Sequence, residues 1–151
     1  MIRKPRINFA VMLFPKKVKY RKWQTMRKNP LKVGSATRGV TVAFGSFGLK
    51  ALDQARIKSN QIEAARKVLS RSIGKTGRLW IRIFPDMPYT SKPAEVKLGK
   101  GKGDLQGYVA PVRAGRIMFE VDGISEVMAR EALRKAGTKL PVKSKIVARY
   151  L

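Results

Sequence analysis

A run of alternating lysines and glycines is the stretch of this sequence best suited to binding phosphate. Its members are Lys97, Gly99, Lys100, Gly101, Lys102 and Gly103. Such a run brings ammonium groups and backbone N–H donors together, which favours a phosphate chain as ligand. It is not a Walker loop, because no Ser or Thr follows a Gly-Lys pair and no helix pattern begins there. We interpret it as a flexible, positively charged finger that reaches toward nucleic acid; the alternatives are a solvated mobile loop and a nucleotidase site.

A second basic segment, near the N-terminus, combines cations with aromatic side chains. Its members are Lys16, Lys17, Lys19, Tyr20, Arg21, Lys22 and Trp23. Cations neutralise phosphates and aromatic rings stack on bases, so the pattern predicts an arm that becomes ordered on RNA. The alternatives are a disordered basic arm and a nuclear-localisation signal, and the latter does not explain the charge elsewhere in the chain.

The overall charge supports a polyanionic partner. The 151 residues include 34 Lys and Arg but only 9 Asp and Glu, a net charge of +25. The first 52 residues contain 13 of the cations and no acid, whereas a merely solvated surface mixes both signs. We therefore also predict that Arg27, Lys28, Arg38 and Lys50 bind RNA.

The missing residue types exclude several kinds of site. There is no Cys and no His, which rules out disulfides, thiolate or imidazole metal sites and His-dependent catalysis. Asp86, Glu95 and Asp104 are isolated among lysines and favour ion pairs over a metal or catalytic site. We expect no enzyme activity, no cofactor, no metal and no small-molecule substrate. The longest uncharged stretch, residues 40–49, is too short to span a membrane, and the pattern at the N-terminus does not favour a signal peptide.

The hydrophobic pattern predicts a basic arm over residues 1–37 and one body over residues 38–151. Val40, Val42 and Phe44 alternate as a strand, and a phase slip at residues 45–46 predicts a β-bulge. Close approach of an RNA backbone to Gly45 and Gly48 is the alternative explanation, and the two are compatible. Residues 85–106 show no convincing helix or strand pattern and are expected to form a long loop.

Two helices and further strands complete the predicted body. Asn60 and Glu63 have capping-box spacing at the start of the first helix. The buried stripes are predicted to be Ile62, Ala65, Leu69 and Ile73 in this helix, and Ala129, Ala132, Leu133 and Ala136 in a second helix capped by Ser125. Arg66, Lys67 and Arg71 lie outside the first stripe, where phosphate binding is favoured over a solvated face.

The remaining strands are predicted over residues 78–84, 108–112, 117–121 and 143–150, with Trp80, Arg82 and Phe84 on one face of the first. A hairpin turn at 113–116 should join the second and third, and Pro111 favours an edge position for the second. The order of elements predicts an α+β fold, a small mixed sheet packed with two helices.

Several segments together resemble the universal large-subunit ribosomal protein sixteen family in its bacterial or organellar form. The matching segments are 12–17, 44–51, 61–66, 80–86, 92–93 with 99–103, 119–123, 129–132 and 139–143. They follow the family's order and cover nearly all of residues 12–147. Each segment alone is weak, but the series is highly specific.

The resemblance implies an α/β-hammerhead-like fold and a structural role in the large ribosomal subunit. It implies that the arm lies in large-subunit rRNA and that Lys97, Lys100 and Lys102 point toward the A- and P-site tRNAs near the peptidyl-transferase region. It also implies a part in late subunit assembly, contacts with neighbouring ribosomal proteins, and a cytoplasmic location in the ribosome, with an organellar ribosome as the alternative.

Two features depart from the family pattern. Residues 1–11 precede the family's usual start, which indicates an extension or an upstream start codon assigned in error; intact mass of the purified protein distinguishes the two. Lys97 stands where bacterial relatives commonly have Arg. Lysine keeps the charge but lacks the planar two-pronged guanidinium, so a role that needs that group, or its modification, is not carried over to this chain.

Overall fold

The computed structural model describes residues 13–25, 33–97 and 99–149. Within these ranges the chain forms seven strands and two helices. In chain order they are β1 (Phe47–Ala51), β2 (Ala55–Lys58), α1 (Ser59–Ile73), β3 (Arg78–Ile81), β4 (Met87–Ser91), β5 (Asp104–Val112), β6 (Ile117–Asp122), α2 (Glu126–Gly137) and β7 (Ser144–Ala148). The predicted α+β class is confirmed.

A four-stranded antiparallel sheet in the order β3-β6-β1-β7 forms the centre of the body. Its strand β6 lies between β3 and β1 and is almost wholly buried, with Met118, Phe119 and Val121 in the hydrophobic core. Phe119, Leu49, Leu69 and Leu133 lie in this shared core, each at most 1% exposed. Burial of each such side chain favours folding by about 1.5–3 kcal/mol, so this sheet–helix layer is the main source of stability.

A three-stranded antiparallel sheet, ordered β2-β5-β4, forms the second layer. Its strands β4 and β5 make a long hairpin from Met87 opposite Val109 to Ser91 opposite Asp104. The expectation of a loop without secondary structure over residues 85–106 is therefore wrong at both ends. The segment between the strands, residues 92–103, is the loop of this hairpin and is called the hairpin loop below. Pro88 obscured β4 in the sequence, because proline is uncommon in paired strands.

Helix α1 buries the predicted stripe, with Ile62, Ala65 and Leu69 fully inaccessible. Its start differs from the prediction of an Asn60 cap. Lys58 is the N-cap residue, and its backbone N–H donates to Gln61 Oε1 at 2.9 Å. Gly74 ends the helix with φ of +70° and ψ of −148°, a combination that is essentially restricted to glycine.

Helix α2 confirms its prediction closely. Ser125 is its N-cap residue, although its side chain makes no capping hydrogen bond. The buried residues are Ala129, Ala132, Leu133 and Ala136, as the spacing predicted. Three of these are alanines, and α2 packs closely against α1 and β1.

The predicted strand over Val40–Phe44 and the bulge at residues 45–46 are both wrong. The segment runs without secondary structure, and β1 begins only at Phe47. Its register irregularity lies between Leu49 and Lys50. The tight space beside the glycines is filled by the protein itself, since a Cβ on Gly45 would meet Val121 O at 2.5 Å and one on Gly48 would meet Val42 at 2.8 Å. Close approach of RNA to these positions is therefore not supported.

Residues 113–116 form a turn, but not the predicted hairpin. Strand β5 belongs to the three-stranded sheet and β6 to the four-stranded one, so the turn passes the chain between sheets. Strand β5 is also central rather than an edge. The pairing of β5 with β4 ends at Val109. Pro111 therefore lies opposite a residue of β2 only, Arg56, which explains why proline is tolerated there.

No helix within the described ranges has the length and hydropathy needed to span a membrane.

Candidate nucleic-acid interface

The described part of the basic arm, residues 13–25, lies against the β4–β5 hairpin. The Phe14 ring meets the Tyr108 ring edge-on, with centroids 4.8 Å apart. Tyr108 is buried and Phe14 is 56% exposed, so Phe14 attaches the arm to the body without entering the core. Aromatic pairs of this geometry contribute about 0.5–1.5 kcal/mol beyond their buried area.

The arm and the hairpin loop contact each other. Lys102 Nζ donates to the backbone carbonyl of Trp23, and Lys22 Nζ lies 3.4 Å from Asp104 Oδ1. Two segments about 80 residues apart in sequence therefore meet in one place, which the sequence did not predict. We call the arm residues 16–23 and the hairpin loop together the arm–loop surface.

The side chains of the arm remain accessible despite this anchoring. Lys16, Lys17, Lys19 and Arg21 are exposed, and Lys22 is half-buried. Tyr20 is 61% and Trp23 38% exposed, and the Lys19 ammonium lies 5.5 Å from the centroid of the Tyr20 ring. Exposed rings beside cations can stack on bases while the cations neutralise phosphates.

The hairpin loop has an unusual backbone. Gly99, Lys100 and Gly101 all have positive φ, at +102°, +51° and +94°. Lys92 Nζ donates to Gly99 O, and Val96 N donates to Pro93 O at 3.2 Å. A left-handed stretch of this kind needs glycine at most positions, which explains part of the Gly-Lys alternation.

The loop cations point to solvent. Lys97, Lys100 and Lys102 are exposed, and so are Gly99 and Gly101, whereas Gly103 is half-buried beside Ser91. In the described part of the loop, the ammonium groups of Lys92 and Lys102 donate to backbone carbonyl oxygens. A carbonyl carries no formal charge, and the loop holds one acid, Glu95, against four lysines, so it keeps a net positive charge.

The predicted cations of α1 divide into two kinds. Arg66 forms a two-pronged pair with Glu63, at 2.7 Å from Nε and from Nη2. This hydrogen bond lowers the pKa of Glu63 and raises that of Arg66, so both stay charged. Lys67 and Arg71 are exposed on the same helix. Of the three, Lys67 and Arg71 are better placed for a phosphate.

The remaining predicted residues are scattered. Arg38 is exposed in the segment before β1, while Lys50 is half-buried on β1 and pairs in register with Lys145 of β7. Arg27 and Lys28 lie outside the described residues. The structure thus brings the arm and loop residues together but not Lys50 or the cations of α1.

A buried carboxylate that the sequence did not single out organises the neighbouring segment. Glu120 is fully buried and accepts hydrogen bonds from the backbone N–H groups of Ala43, Phe44 and Gly45, at 2.6–3.2 Å, and from Arg82. Burial alone would raise the pKa of Glu120, but these donors outweigh it and lower the pKa. Because the amides of residues 43–45 donate to this carboxylate, the segment does not join a sheet.

Glu120 also positions an exposed aromatic stack. The Phe44 and Trp80 rings stack with centroids 6.3 Å apart, and the Arg82 guanidinium lies 4.8 Å from the Phe44 centroid. The alternation that placed Trp80, Arg82 and Phe84 on one face was the available sequence signal for this region. Glu120, the partner of Arg82, lies 38 residues away from it in sequence, so a local pattern could not predict the pair.

The acidic residues do not assemble a metal centre. Within the described ranges, no group of three or more Asp or Glu side chains is close enough to hold an ion. The exposed cations and aromatic rings of the arm–loop surface suit recognition of phosphate and of bases.

Comparison with known proteins agrees with this chemistry. A family described as ribosomal protein L16p/L10e matches residues 15–147. The protein named large ribosomal subunit protein uL16 from Thermosipho melanesiensis is 55% identical over 139 residues, covering 92% of this chain and 95% of that protein. Its namesake from Thermosipho africanus is 52% identical over the same coverage. These matches confirm the family resemblance and a ribosomal rather than enzymatic role. The chain therefore belongs to the L16p/L10e family of ribosomal proteins.

Proposed function

We propose that this protein is a structural constituent of the large ribosomal subunit that binds large-subunit rRNA through its arm. In this proposal the hairpin loop contacts A- and P-site tRNA near the peptidyl-transferase region. The partners are then rRNA, tRNA and neighbouring ribosomal proteins, with no membrane and no small-molecule substrate. The protein supports late subunit assembly, and the peptide chemistry belongs to the RNA.

The observation that carries the proposal is the meeting of arm and hairpin loop. It concentrates the nine cations of the arm–loop surface (Lys16, Lys17, Lys19, Arg21, Lys22, Lys92, Lys97, Lys100 and Lys102) in two segments that touch. Asp104 pairs with one of them, Lys22. A concentration of one sign of charge costs free energy through self-repulsion unless a polyanion neutralises it, and exposed Tyr20 and Trp23 add surfaces for bases.

Salt dependence tests RNA binding by the whole protein. With six to ten phosphate contacts, affinity for a large-subunit rRNA transcript should fall roughly a thousand- to hundred-thousand-fold between about 50 and 200 mM salt. A flat response would contradict the proposal. Co-sedimentation with large subunits through a high-salt wash separates a ribosomal constituent from a free-standing RNA-binding regulator.

Deletion of residues 98–103 tests the role of the loop. The body should retain its melting temperature, because residues 99–103 lie outside the hydrophobic core. Ribosomes carrying the deletion should show impaired tRNA accommodation or subunit maturation, measured by pre-steady-state tRNA binding and by sedimentation profiles. Unchanged translation by such ribosomes would contradict a function for the loop but not rRNA binding by the arm.

A further inference from the structure

An open groove with a volume of about 730 Å³ lies where residues 81–86 pass the end of β5 and the turn at 113–116. Four arginines line it: Arg38, Arg82, Arg113 and Arg116. None of the nine cations of the arm–loop surface lines it. The groove is therefore a separate concentration of positive charge.

Two of these arginines are held in place by the fold. Arg82 is fixed by buried Glu120. Arg116 donates from one guanidinium nitrogen to Arg38 O at 2.8 Å and from another to Arg82 O at 3.3 Å. A Cβ on Gly39 would lie 2.7 Å from this guanidinium, so glycine there makes room for it. Because its side-chain conformation is already restricted, Arg116 loses little further entropy when it binds an anion.

The groove keeps a net positive charge. Glu120 neutralises Arg82, and Asp86 is the carboxylate among the lining residues. Arg116 is bound to carbonyl oxygens, which carry no formal charge. Arg38 and Arg113 are exposed, and the described residues provide neither with a carboxylate partner within salt-bridge distance. Guanidinium groups in this setting suit phosphate oxygens, which accept two parallel hydrogen bonds from one arginine.

The groove also offers an aromatic side chain. Phe84 is 46% exposed and lies in the same wall as Arg82. The volume falls in the range that accommodates a small organic ligand and exceeds what a phosphate group alone requires. Base stacking on aromatic rings together with phosphate binding by arginine is typical of contacts with unpaired nucleotides.

We propose that this groove binds one unpaired nucleotide of RNA, with its phosphate on the arginines and its base against Phe84. The proposal rests on the proposed rRNA-binding function and deepens it by naming a second contact site and the kind of nucleotide it takes. The same chemistry would hold a free nucleotide, so the experiment must distinguish the two sources.

The experiment measures affinity for a large-subunit rRNA transcript at several salt concentrations, with groove variants R38Q/R113Q and F84L. Because the three side chains are exposed and the contact of Arg38 with Arg116 uses its backbone carbonyl, the variants should keep the wild-type melting temperature. R38Q/R113Q should reduce the slope of log affinity against log salt by about 0.7, the contribution of one phosphate on an unpaired strand. F84L should weaken binding about 5- to 150-fold with an unchanged slope.

Matched controls remove similar groups elsewhere. R130Q/K135Q removes two exposed cations of α2 and V127A an exposed apolar side chain; each should bind as the wild type does. The arm variant K16Q/K17Q/K19Q should bind more weakly. The groove proposal would be overturned if both groove variants bound the transcript with wild-type affinity and salt slope while the arm variant bound it more weakly. That result would leave the proposed function intact.

Two further outcomes separate the remaining cases. Salt-insensitive binding of the transcript by the wild-type protein would instead count against the proposed function. Adenosine monophosphate is the probe for a free nucleotide. The assignment to RNA would be overturned if the wild type bound adenosine monophosphate, F84L did not, and F84L kept the wild-type affinity for rRNA.

Discussion

Two glycine-containing irregular segments, residues 39–46 and the hairpin loop at 92–103, have opposite relations to the body. In the first, the amides of residues 43–45 bind buried Glu120, and a Cβ on Gly45 would strike Val121 O. In the second, a Cβ added to Gly99 or Gly101 would meet no atom within 4 Å. The ammonium group of Lys92 there donates to a backbone carbonyl and not to a carboxylate. The protein's own anion fixes the first segment, whereas the second presents its charge outward.

The comparison shows that glycine and backbone amides do not by themselves predict an RNA contact. The two segments differ in whether their backbone amides already bind an internal carboxylate and whether their glycines already pack against a strand. Residues 39–46 are bound to the folded body, whereas the hairpin loop is exposed and can contact a partner.

The largest expected effect is on stability when the internal anion is neutralised. Glu120→Gln leaves the Arg82 guanidinium and part of the amide cluster without a charged acceptor, and should lower the free energy of unfolding by about 3 kcal/mol. Urea unfolding measures it. The control Glu126→Gln removes an exposed partner of Arg130 and should leave the unfolding midpoint unchanged; equal midpoints for both variants would contradict the comparison.

The same residue predicts a pH dependence. Because the folded-state pKa of Glu120 is below its ordinary value of 4.5, its contribution is present at neutral pH. The contribution is lost as pH falls through the folded-state value. The unfolding free energy of the wild type should therefore decline below about pH 4.5 more steeply than that of Glu120→Gln. Parallel profiles would exclude Glu120 as a source of this acid sensitivity.

The second effect is on RNA binding by the outward segment. Replacing Lys97, Lys100 and Lys102 by glutamine should reduce the salt slope for tRNA binding by the protein by about 2–3 and the affinity roughly a hundredfold near 100 mM salt. The melting temperature should not change, because all three are exposed. A marked loss of thermal stability would mean that the loop, too, supports the body.

The third effect uses a glycine of the anchored segment. Gly45→Ala places a methyl group 2.5 Å from Val121 O and should destabilise the protein by about 2 kcal/mol in thermal or urea unfolding. Gly34→Ala is the control, since a Cβ there meets nothing within 4 Å. If both variants unfold alike, the tight packing of residues 39–46 is not real.

The smallest effect is expected for the same substitution in the outward loop. Gly101→Ala adds no close contact, but a residue with a side chain is disfavoured at φ of +94°. The substitution should therefore destabilise the loop conformation by about 1 kcal/mol. Hydrogen exchange should detect it in residues 92–103 and not in β6. Loss of protection throughout β6 would contradict an independent loop.

Local patterns in the sequence predicted what depends on neighbours in the chain. The stripes of α1 and α2 repeat every three to four residues, and both helices were predicted with their buried residues. Strands β2 and β4 were missed because β2 runs directly into α1 at Ser59 and β4 contains Pro88. Their partners on β5 supply the pairing that their own sequences do not specify.

The features that define the interface depend on residues far apart in sequence. Glu120 binds amides 75–77 residues away, and Lys102 contacts Trp23 at a separation of 79. The basic composition of arm and loop was visible in the sequence, but their meeting was not. The groove shows the same limit, since Arg38, Arg82 and Arg113 converge from three separate segments.

The pairing of β1 with β7 has a consequence for how the chain is made. Phe47 lies opposite Ala148, so one edge of β1 has no partner until about a hundred further residues have been synthesised. At 5–20 residues per second, this takes roughly 5–20 s. During that interval the nascent protein exposes an unpaired strand edge, a known template for aggregation. Completion of the central sheet is therefore a late event in biosynthesis, after both helices have formed.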